Sequence, residues 1–356
     1  MKKKWLALFC AAACVAGLLT GCGPKEAPTP TPDPTPTAEV TPTPDTGDKG
    51  EKETLRVAMI SGPTGMGAAK LMADSEQGTT ALDYTFTVYT DNNEVVNALA
   101  QGEVDVAALA TNVAANFYRK TNGGIQLAAI NTYGVLKLMQ GGEGEDVTSL
   151  EELAGETIYA VGQGANPEFV LNYLLTEHGL DPQTDVDIRW MTAEEVTQGL
   201  ISGKTRFAML PVPAATAAQI KGEGVRQVLD LSEVWDEVNT SSRLTMGCVV
   251  VRTAYAQEQP EVVRTFLEEY EASIAYMTDP ANLALSSEAN PAELVDGYGI
   301  APSSAIDGKA LGQAKLTFLS GAKDLRNAIQ GYYEVLYEAN PASIGGGIPD
   351  DGFYFE

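Results

Sequence analysis

The chain has 356 residues, of which 44% are hydrophobic and 20% are charged, and its formal net charge is −25 at pH 7. This composition is that of a globular protein with enough residues for two lobes, each with its own core, and it excludes a mainly disordered chain. The excess of acidic side chains argues against binding to nucleic acid and against lying on an anionic bilayer.

An export signal opens the sequence. Three lysines follow the initial methionine and precede an apolar run, Trp5 to Leu19, which is too short for a spanning helix and typical of a secretory signal. The run closes with Leu-Thr-Gly before Cys22, the arrangement in which lipoprotein signals place the thiol that is acylated. We expect a signal peptide over 1–21 and a lipid anchor on Cys22; an ordinary signal with an incidental cysteine is the alternative.

The segment after the cysteine is a spacer. Eight prolines lie between positions 24 and 44, interleaved with threonine and charged residues and almost without large apolar side chains. Alternating Thr-Pro disfavours helix and sheet, so we expect an extended linker over 22–54 that holds the folded body away from the membrane.

Removal of the signal peptide and acylation of Cys22 would change the numbers of charged residues and free thiols. Two cysteines leave with the signal and one is acylated, so Cys248 alone remains and no internal disulfide can form. Three lysines are also removed, which leaves 48 acidic against 20 basic residues and a net charge of −28. The mature surface is therefore strongly acidic.

From Leu55 onward, short β-branched and apolar runs alternate with amphipathic helical stretches, which predicts α/β lobes with a parallel sheet covered by helices on both faces. The C-terminal third is expected to be helical. The predicted strands are 55–60, 84–89, 104–109, 125–130, 135–139, 157–161, 186–190, 206–210 and 244–251, and the main predicted helices are 67–73, 94–100, 112–119, 149–153, 167–177 and 261–276.

The alternation restarts after position 133, which predicts a hinged clamshell of two α/β lobes. We expect lobe 1 to comprise 55–133 and 247–356, and lobe 2 to comprise 134–246.

Several segments follow, in order, a pattern that resembles substrate-binding lipoproteins of ABC transporters, in particular the nitrate, sulfonate, taurine and thiamine-precursor group. The segments are GPTGMG at 62–67, GEVDVA at 102–107, NTYGV at 131–135, LEELAGETI at 150–158, GQGANPE at 162–168, LLTEHGLDP at 174–182, DVDI at 185–188 and NPASIGGGIPDDGFY at 340–354. One departure is that Met209 and Leu210 stand in a stretch where many relatives have an acidic residue.

The resemblance implies the type II periplasmic-binding-protein fold, with two α/β lobes joined by a two-strand hinge. It also implies a monomeric, lipid-anchored, extracytoplasmic protein that captures a small organic or oxyanionic solute and delivers it to an ABC permease. The alternatives are a ligand-sensing or surface-interaction lipoprotein with the same clamshell and, less favoured, an enzyme similar to the pyrimidine synthases of the thiamine pathway.

Ligands of open α/β sheets lie beyond the carboxyl ends of the strands. The five loops at those ends, 61–67, 110–112, 131–133, 162–166 and 210–216, contain no Asp, Glu, Lys, Arg or His. We therefore expect binding through backbone amides, hydroxyls, side-chain amides and apolar contacts, with no metal and no cofactor. An anion held by helix N-termini and a neutral polar or aromatic molecule both fit this expectation. The expected ligand contacts are Ser61, Gly62, Pro63, Thr64, Gly65, Met66, Asn112, Asn131, Thr132, Gln163, Gly164, Ala165, Asn166 and Pro211. For Asn112 and Asn166 the alternative is that they only cap helices.

No catalytic residue is predicted. His178 is the only histidine and stands at a helix end, where an imidazole interacts favourably with the helix dipole. Cys248 lies inside an apolar strand, the setting of an inert buried thiol, so no Ser-His or Cys-His pair can be assembled.

Overall fold

The computed structural model describes residues 52–301 and 308–356. The predicted signal peptide, Cys22 and nearly all of the predicted linker lie outside these residues. Lys49–Glu356 forms one compact unit. Within the described ranges, no helix has the length and apolarity that crossing a membrane requires.

A six-stranded sheet forms the centre of lobe 1, and its strands run in the order β11-β4-β10-β3-β1-β2. β1 pairs in parallel with β2 and β3, whereas β10 is antiparallel to both β3 and β4, and β11 is antiparallel to β4. The strands are β1 (Thr54–Ile60), β2 (Asp83–Tyr89), β3 (Val106–Ala110), β4 (Ile125–Tyr133), β10 (Thr245–Arg252) and β11 (Leu316–Ser320).

A five-stranded sheet forms the centre of lobe 2, in the order β7-β6-β8-β5-β9. β6 pairs in parallel with β7 and β8, and β5 is antiparallel to both β8 and β9. The strands are β5 (Leu136–Gln140), β6 (Thr157–Ala160), β7 (Asp187–Trp190), β8 (Phe207–Pro211) and β9 (Arg226–Asp230).

Helices pack around each sheet. Those of lobe 1 are α1 (Pro63–Met66), α2 (Ala69–Glu76), α3 (Asn92–Gln101), α4 (Thr111–Lys120), α9 (Thr253–Glu258), α10 (Pro260–Thr278), α11 (Pro280–Leu283), α12 (Pro291–Gly297), α13 (Gly308–Gln313) and α14 (Ala322–Ala339). Those of lobe 2 are α5 (Asn166–Glu177), α6 (Ala193–Ile201), α7 (Ala214–Lys221) and α8 (Leu231–Val238).

Two expectations about the sheets are wrong. Both sheets are mixed rather than parallel. In lobe 1, β10 enters from lobe 2 at the end where β4 leaves, so the two strands are antiparallel. In lobe 2, β5 enters from the hinge and is antiparallel to β8 and β9. The C-terminal third is not all helical, since β11 lies within it. This strand is at the sheet edge and all five of its residues are half-buried, so it lacks the buried apolar run that marks a central strand.

The hinge joins the lobes where β4 ends and β5 begins, and again where the chain returns to β10. Behind it, the indole of Trp235 lies between the rings of Tyr173 and Tyr332, with centroid distances of 5.0 and 5.6 Å. Because Tyr332 belongs to α14 and the other two rings to lobe 2, this aromatic group continues the hydrophobic core from one lobe to the other. The predicted lobe boundaries at 133/134 and 246/247 stay a prediction.

Candidate ligand site between the lobes

The loop after β1 is held close to the strand. Gly62 has φ +92° and its N–H donates to the Ile300 carbonyl at 2.8 Å. A Cβ on Gly65 would lie 2.2 Å from the Ile60 carbonyl oxygen, so no other residue fits there without a shift of the backbone. The glycines of this loop therefore let α1 fold back tightly against the carboxyl end of β1.

Asn131, at the carboxyl end of β4, fixes that same loop. Its Nδ2 donates to the Thr64 carbonyl and to the Tyr270 hydroxyl, both at 2.8 Å, and its Oδ1 accepts from Thr132 Oγ1 at 3.1 Å. The side chain of Asn131 is buried, and burial raises the pKa of Tyr270 well above its usual value. Asn131 thus holds the loop at 61–66 in place from the carboxyl end of β4.

The N-termini of α4 and α5 meet between the lobes. Asn166 Nδ2, on α5, donates to Thr111 Oγ1, on α4, at 3.2 Å and to the Met246 carbonyl at 3.4 Å. Thr111 Oγ1 in turn donates to the Thr245 carbonyl at 2.7 Å. This chain of hydrogen bonds connects lobe 2, lobe 1 and the returning strand of the hinge.

Neither of these two helices has a side chain that caps its N-terminus. The N-caps are Ala110 and Ala165, which offer no side-chain acceptor to the first backbone N–H groups. Each helix end also carries roughly half a positive charge from the peptide dipoles. An anion beside these ends would be stabilised without a cationic side chain, chiefly by α4, because Glu168 already places a carboxylate in the first turn of α5.

The remaining predicted ligand contacts differ in exposure. Gln163 and Gly164 are exposed, and Gly164 lies at one end of a 460 Å³ groove between α5 and the end of α14. Thr132 is fully buried and Pro211 is half-buried at the end of β8. Among predicted residues of different loops, Asn131 is hydrogen-bonded to Thr64. Asn166 is hydrogen-bonded to Thr111, the residue before Asn112.

Thr111, Tyr332 and Tyr333 are not among the predicted ligand contacts. The Tyr333 hydroxyl donates to the Thr111 carbonyl at 2.9 Å, although the two residues are 222 positions apart. Thr111 lies in the strand-end loop at 110–112, so its position at the end of a predicted strand was a signal for a site residue. No local pattern marks Tyr332 and Tyr333, because they read as the apolar stripe of an amphipathic helix.

The two cationic side chains near the hinge differ in exposure, since Lys137 is buried and Arg243 is exposed. Lys137 is buried and forms an ion pair with Asp230, which Lys315 of lobe 1 also approaches at 3.5 Å. Arg243 lies over the ring of Tyr133 at 5.2 Å. Among residues 52–301 and 308–356, no three His, Cys, Asp or Glu side chains are grouped so that they could hold a metal ion.

Two mixed α/β lobes with facing helix N-termini are compatible with a solute-binding protein, and similarity to a known family gives the assignment. Residues 70–294 match the family described as "ABC transporter, phosphonate, periplasmic substrate-binding protein", and the chain belongs to that family. The protein is therefore the substrate-binding component of an ABC importer, with a small-molecule ligand and a membrane permease as its partners. The predicted membership in the ABC substrate-binding proteins is confirmed. No curated protein sequence matches the chain.

Solved structures show the same fold. An ABC transporter protein from Parabacteroides distasonis is 23% identical with a TM-score of 0.70, over 85% of this chain and 99% of that one. The aliphatic sulphonate binding protein SsuA from Escherichia coli is 17% identical with a TM-score of 0.64, over 84% and 93%. The alkanesulfonate-binding protein SsuA from Xanthomonas axonopodis pv. citri, bound to MOPS, is 13% identical with a TM-score of 0.58, over 85% and 97%. The predicted periplasmic-binding-protein fold is confirmed.

Proposed function

We propose that this protein is a lipid-anchored, monomeric component that captures a small organic oxyanion between its lobes and delivers it to the permease. The observation that carries the proposal is the meeting of the α4 and α5 N-termini across the lobes, at 3.2 Å between Asn166 Nδ2 and Thr111 Oγ1. A ligand placed there contacts both lobes at once, so its binding energy favours the arrangement in which the lobes are together.

An oxyanion is favoured over a cation at this place. The surrounding loops carry no acidic side chain, and the uncapped N-terminus of α4 presents N–H donors and positive partial charge. The N-terminus of α5 contributes less, because Pro167 has no N–H, the Glu168 N–H donates to the Ala165 carbonyl, and the Glu168 carboxylate accepts from the Gly164 N–H. The strongly negative net charge of the chain opposes an anion at long range, but salt screens it beyond about 8–10 Å under ordinary ionic strength. The family description names phosphonate, and two of the related structures are sulfonate-binding proteins, which also supports an organic oxyanion.

The proposed contacts follow the predicted set, with separate roles within it. The loop at 61–66 and Asn131 contribute the lobe 1 wall, and the loop at 163–166 contributes the lobe 2 wall. Asn112 and Asn166 are the side chains proposed to contact the ligand directly, since each retains a buried acceptor oxygen with no partner. Thr132 and Pro211 are proposed to line the hinge side.

The proposal includes no catalytic activity. His178 Nδ1 lies 3.0 Å from Glu151 Oε1 on the outer side of lobe 2, at the end of α5 opposite to Asn166. Burial raises the pKa of the Cys248 thiol far above its usual value, which keeps it protonated and unreactive. Neither group stands where a ligand between the lobes could reach it.

A ligand panel tests the proposal. Purified protein without its anchor would be titrated calorimetrically with ethylphosphonate, ethanesulfonate and nitrate, and with propionamide as a neutral compound of similar size. An oxyanion at a hundredfold excess over its dissociation constant should stabilise the folded state by about 2.7 kcal/mol, which thermal unfolding would detect. Binding of propionamide but of no oxyanion would contradict the proposed ligand class.

A further inference from the structure

Unpartnered polar atoms gather around one residue of the site. In the described part of the chain, buried side-chain atoms without a hydrogen-bond partner include Asn112 Oδ1, Asn166 Oδ1 and the Tyr332 hydroxyl. Asn112 follows Thr111 in α4, Asn166 donates to Thr111 Oγ1, and the Tyr332 hydroxyl lies beside the Thr111 side chain without a hydrogen bond of normal geometry. Buried polar groups are normally paired, so the two atoms next to Thr111 and the one on the residue that follows it indicate a missing partner.

The orientation of the Asn166 amide is fixed by its neighbours. Nδ2 faces the Met246 carbonyl, which can only accept, and Thr111 Oγ1, whose own proton goes to the Thr245 carbonyl. The oxygen and nitrogen of the amide therefore cannot be exchanged, and Oδ1 is left as an acceptor without a donor. Asn166 is only 1% exposed, so bulk water does not satisfy this oxygen.

Tyr332 presents its hydroxyl from a rigid position. Its ring is fully buried and packs against Trp235 and Tyr333, with centroid distances of 5.6 and 6.1 Å. Burial raises the pKa of this tyrosine, so the hydroxyl keeps its proton and remains a donor. The group around Thr111 thus offers two acceptor oxygens and one donor.

We propose that Asn112, Asn166 and Tyr332 form a polar subsite for a neutral O–H group of the ligand. The inference rests on the proposed function and narrows its ligand class to oxyanions that can donate a hydrogen bond. An ammonium group fits less well, because none of Asn112, Asn166, Tyr332, Tyr333 and Thr245 is acidic and an unpaired buried charge is costly. An O–H group can donate to an asparagine oxygen and accept from Tyr332.

The O–H group can come from two parts of a ligand. It can be a hydroxyl substituent on the carbon chain, or it can be the protonated oxygen of a phosphonate monoanion, which a sulfonate lacks. Because Asn166 belongs to lobe 2 and the other two residues to lobe 1, the subsite is complete only when the lobes are together.

Four ligands separate these sources. Ethanesulfonate has neither O–H group, 2-hydroxyethanesulfonate has only the substituent, ethylphosphonate at mildly acidic pH has only the protonated oxygen, and 2-hydroxyethylphosphonate has both. Dissociation constants would be measured for the wild type, for Tyr332→Phe, which keeps the buried ring, and for Tyr337→Phe, an exposed tyrosine on the same helix, as the control.

The wild type should bind at least one O–H ligand about tenfold more tightly than ethanesulfonate, since a missing donor leaves buried groups unpaired. Tyr332→Phe should reduce that ratio several-fold, and Tyr337→Phe should leave it unchanged. Equal affinity for all four ligands in the wild type, as expected if a buried water alone fills the subsite, would overturn the inference and leave the proposed function intact. An unchanged ratio in Tyr332→Phe would also overturn it. Failure of all four ligands to bind would overturn the proposed function and the subsite together.

Discussion

Asn166 Nδ2 donates a hydrogen bond of 3.2 Å to Thr111 Oγ1, and this bond connects the two lobes through the first residues of two helices. The contact places the N-terminus of α5 directly against that of α4 and ties both to the returning strand of the hinge through the Met246 and Thr245 carbonyls. Any group bound beside this pair is therefore close to both lobes and to the returning strand of the hinge.

Replacing Asn166 by aspartate tests the charge preference of the site. The substitution Asn166→Asp places a carboxylate beside the two helix ends, where it occupies the field that would attract an oxyanion. We expect ethanesulfonate to bind at least tenfold more weakly, as measured by calorimetry. Asn172→Asp is the matched control, since it adds the same charge about 9 Å farther along the same helix, at a rise of about 1.5 Å per residue. Equal losses in both variants would indicate a general charge effect rather than a site at the helix ends.

The buried ion pair beside the hinge should be sensitive to loss of one partner. Lys137 and Asp230 have side chains that are 2% and 8% exposed, and Asp230 also accepts from the Ser232 N–H at the start of α8. Lys137→Met leaves the carboxylate with only Lys315 nearby, so we expect a loss of about 3 kcal/mol in the free energy of unfolding. Urea denaturation would measure it, with Lys323→Met, at an exposed position, as a control that should change stability by less than about 0.5 kcal/mol. Similar effects of the two substitutions would contradict the role of the pair.

Asp105 should make the stability of lobe 1 depend on acid pH. Its carboxylate receives Arg56 Nε at 2.8 Å, Arg56 Nη2 at 2.6 Å and Arg252 Nη2 at 2.6 Å. Burial by itself would raise the pKa of Asp105, but the hydrogen bonds and charges of the two arginines lower it overall.

A pKa that is lower in the folded than in the unfolded state stabilises the protein above the unfolded value, about 3.9 for aspartate. That contribution is lost as the pH falls from there through the folded pKa, by up to about 1.4 kcal/mol for each pH unit. Asp105→Asn should be less stable at neutral pH and should show a flatter decline in acid, as followed by denaturant titrations at several pH values. An acid profile parallel to that of the wild type would assign the decline to other carboxylates.

Gly65 should be required for folding rather than for ligand contact alone. A methyl group there would stand 2.2 Å from the Ile60 carbonyl oxygen, so Gly65→Ala should lower the free energy of unfolding by about 1–3 kcal/mol. Gly297→Ala is the control, because a Cβ at that position meets nothing within 4 Å. Thermal unfolding without ligand would compare them, and equal melting temperatures would contradict the close approach. Gly65→Trp should therefore unfold the protein. Gly164 has open space around it, but its φ of +76° is one that residues with a side chain rarely adopt.

The anchor prediction concerns Cys22, outside the described residues. Cys22→Ala should release the protein from membranes or leave its signal uncleaved, because the acylated thiol is the proposed tether. Membrane fractionation with labelling by a radioactive fatty acid would measure this, and Cys14→Ala, within the apolar run, should behave as the wild type. Retained label and unchanged processing in Cys22→Ala would exclude lipidation at this residue.

The sequence permits prediction of nine strands, including the edge strands β2 and β7, but not of the edge strands β9 and β11. Val57 and Val249 belong to apolar runs in central strands, and the predicted bounds of both runs agree with the structure within a residue or two. β9 and β11 are missed because each has five residues of which at most one is buried, and the direction of β10 is missed because an apolar run reads alike in parallel and antiparallel pairing. Which strands neighbour one another depends on the path of the chain between lobes, which local patterns do not contain.

The residues of the candidate site were likewise predictable only in part. Asn112 and Asn166 could be flagged because the loops at strand ends have a fixed place in this class of sheet. Tyr332 could not be predicted as a site residue from the sequence. It lies beside Thr111 only because α14 packs against a part of lobe 1 that is distant in the sequence. Asn131 was predicted as a ligand contact, and the structure adds that its amide is hydrogen-bonded to Thr64 and Tyr270.

The position of β10 between β3 and β4 also favours an order of assembly. As the chain becomes available for folding from its N-terminus, the strands at 54–133 leave a gap in their sheet that is closed only when the segment at 245–252 arrives. Lobe 2, whose strands lie without interruption between 136 and 230, has all its sheet partners available earlier. We expect its compaction to precede that of lobe 1, and truncations before Thr245 to leave a folded lobe 2 beside an incomplete neighbour that proteases can degrade.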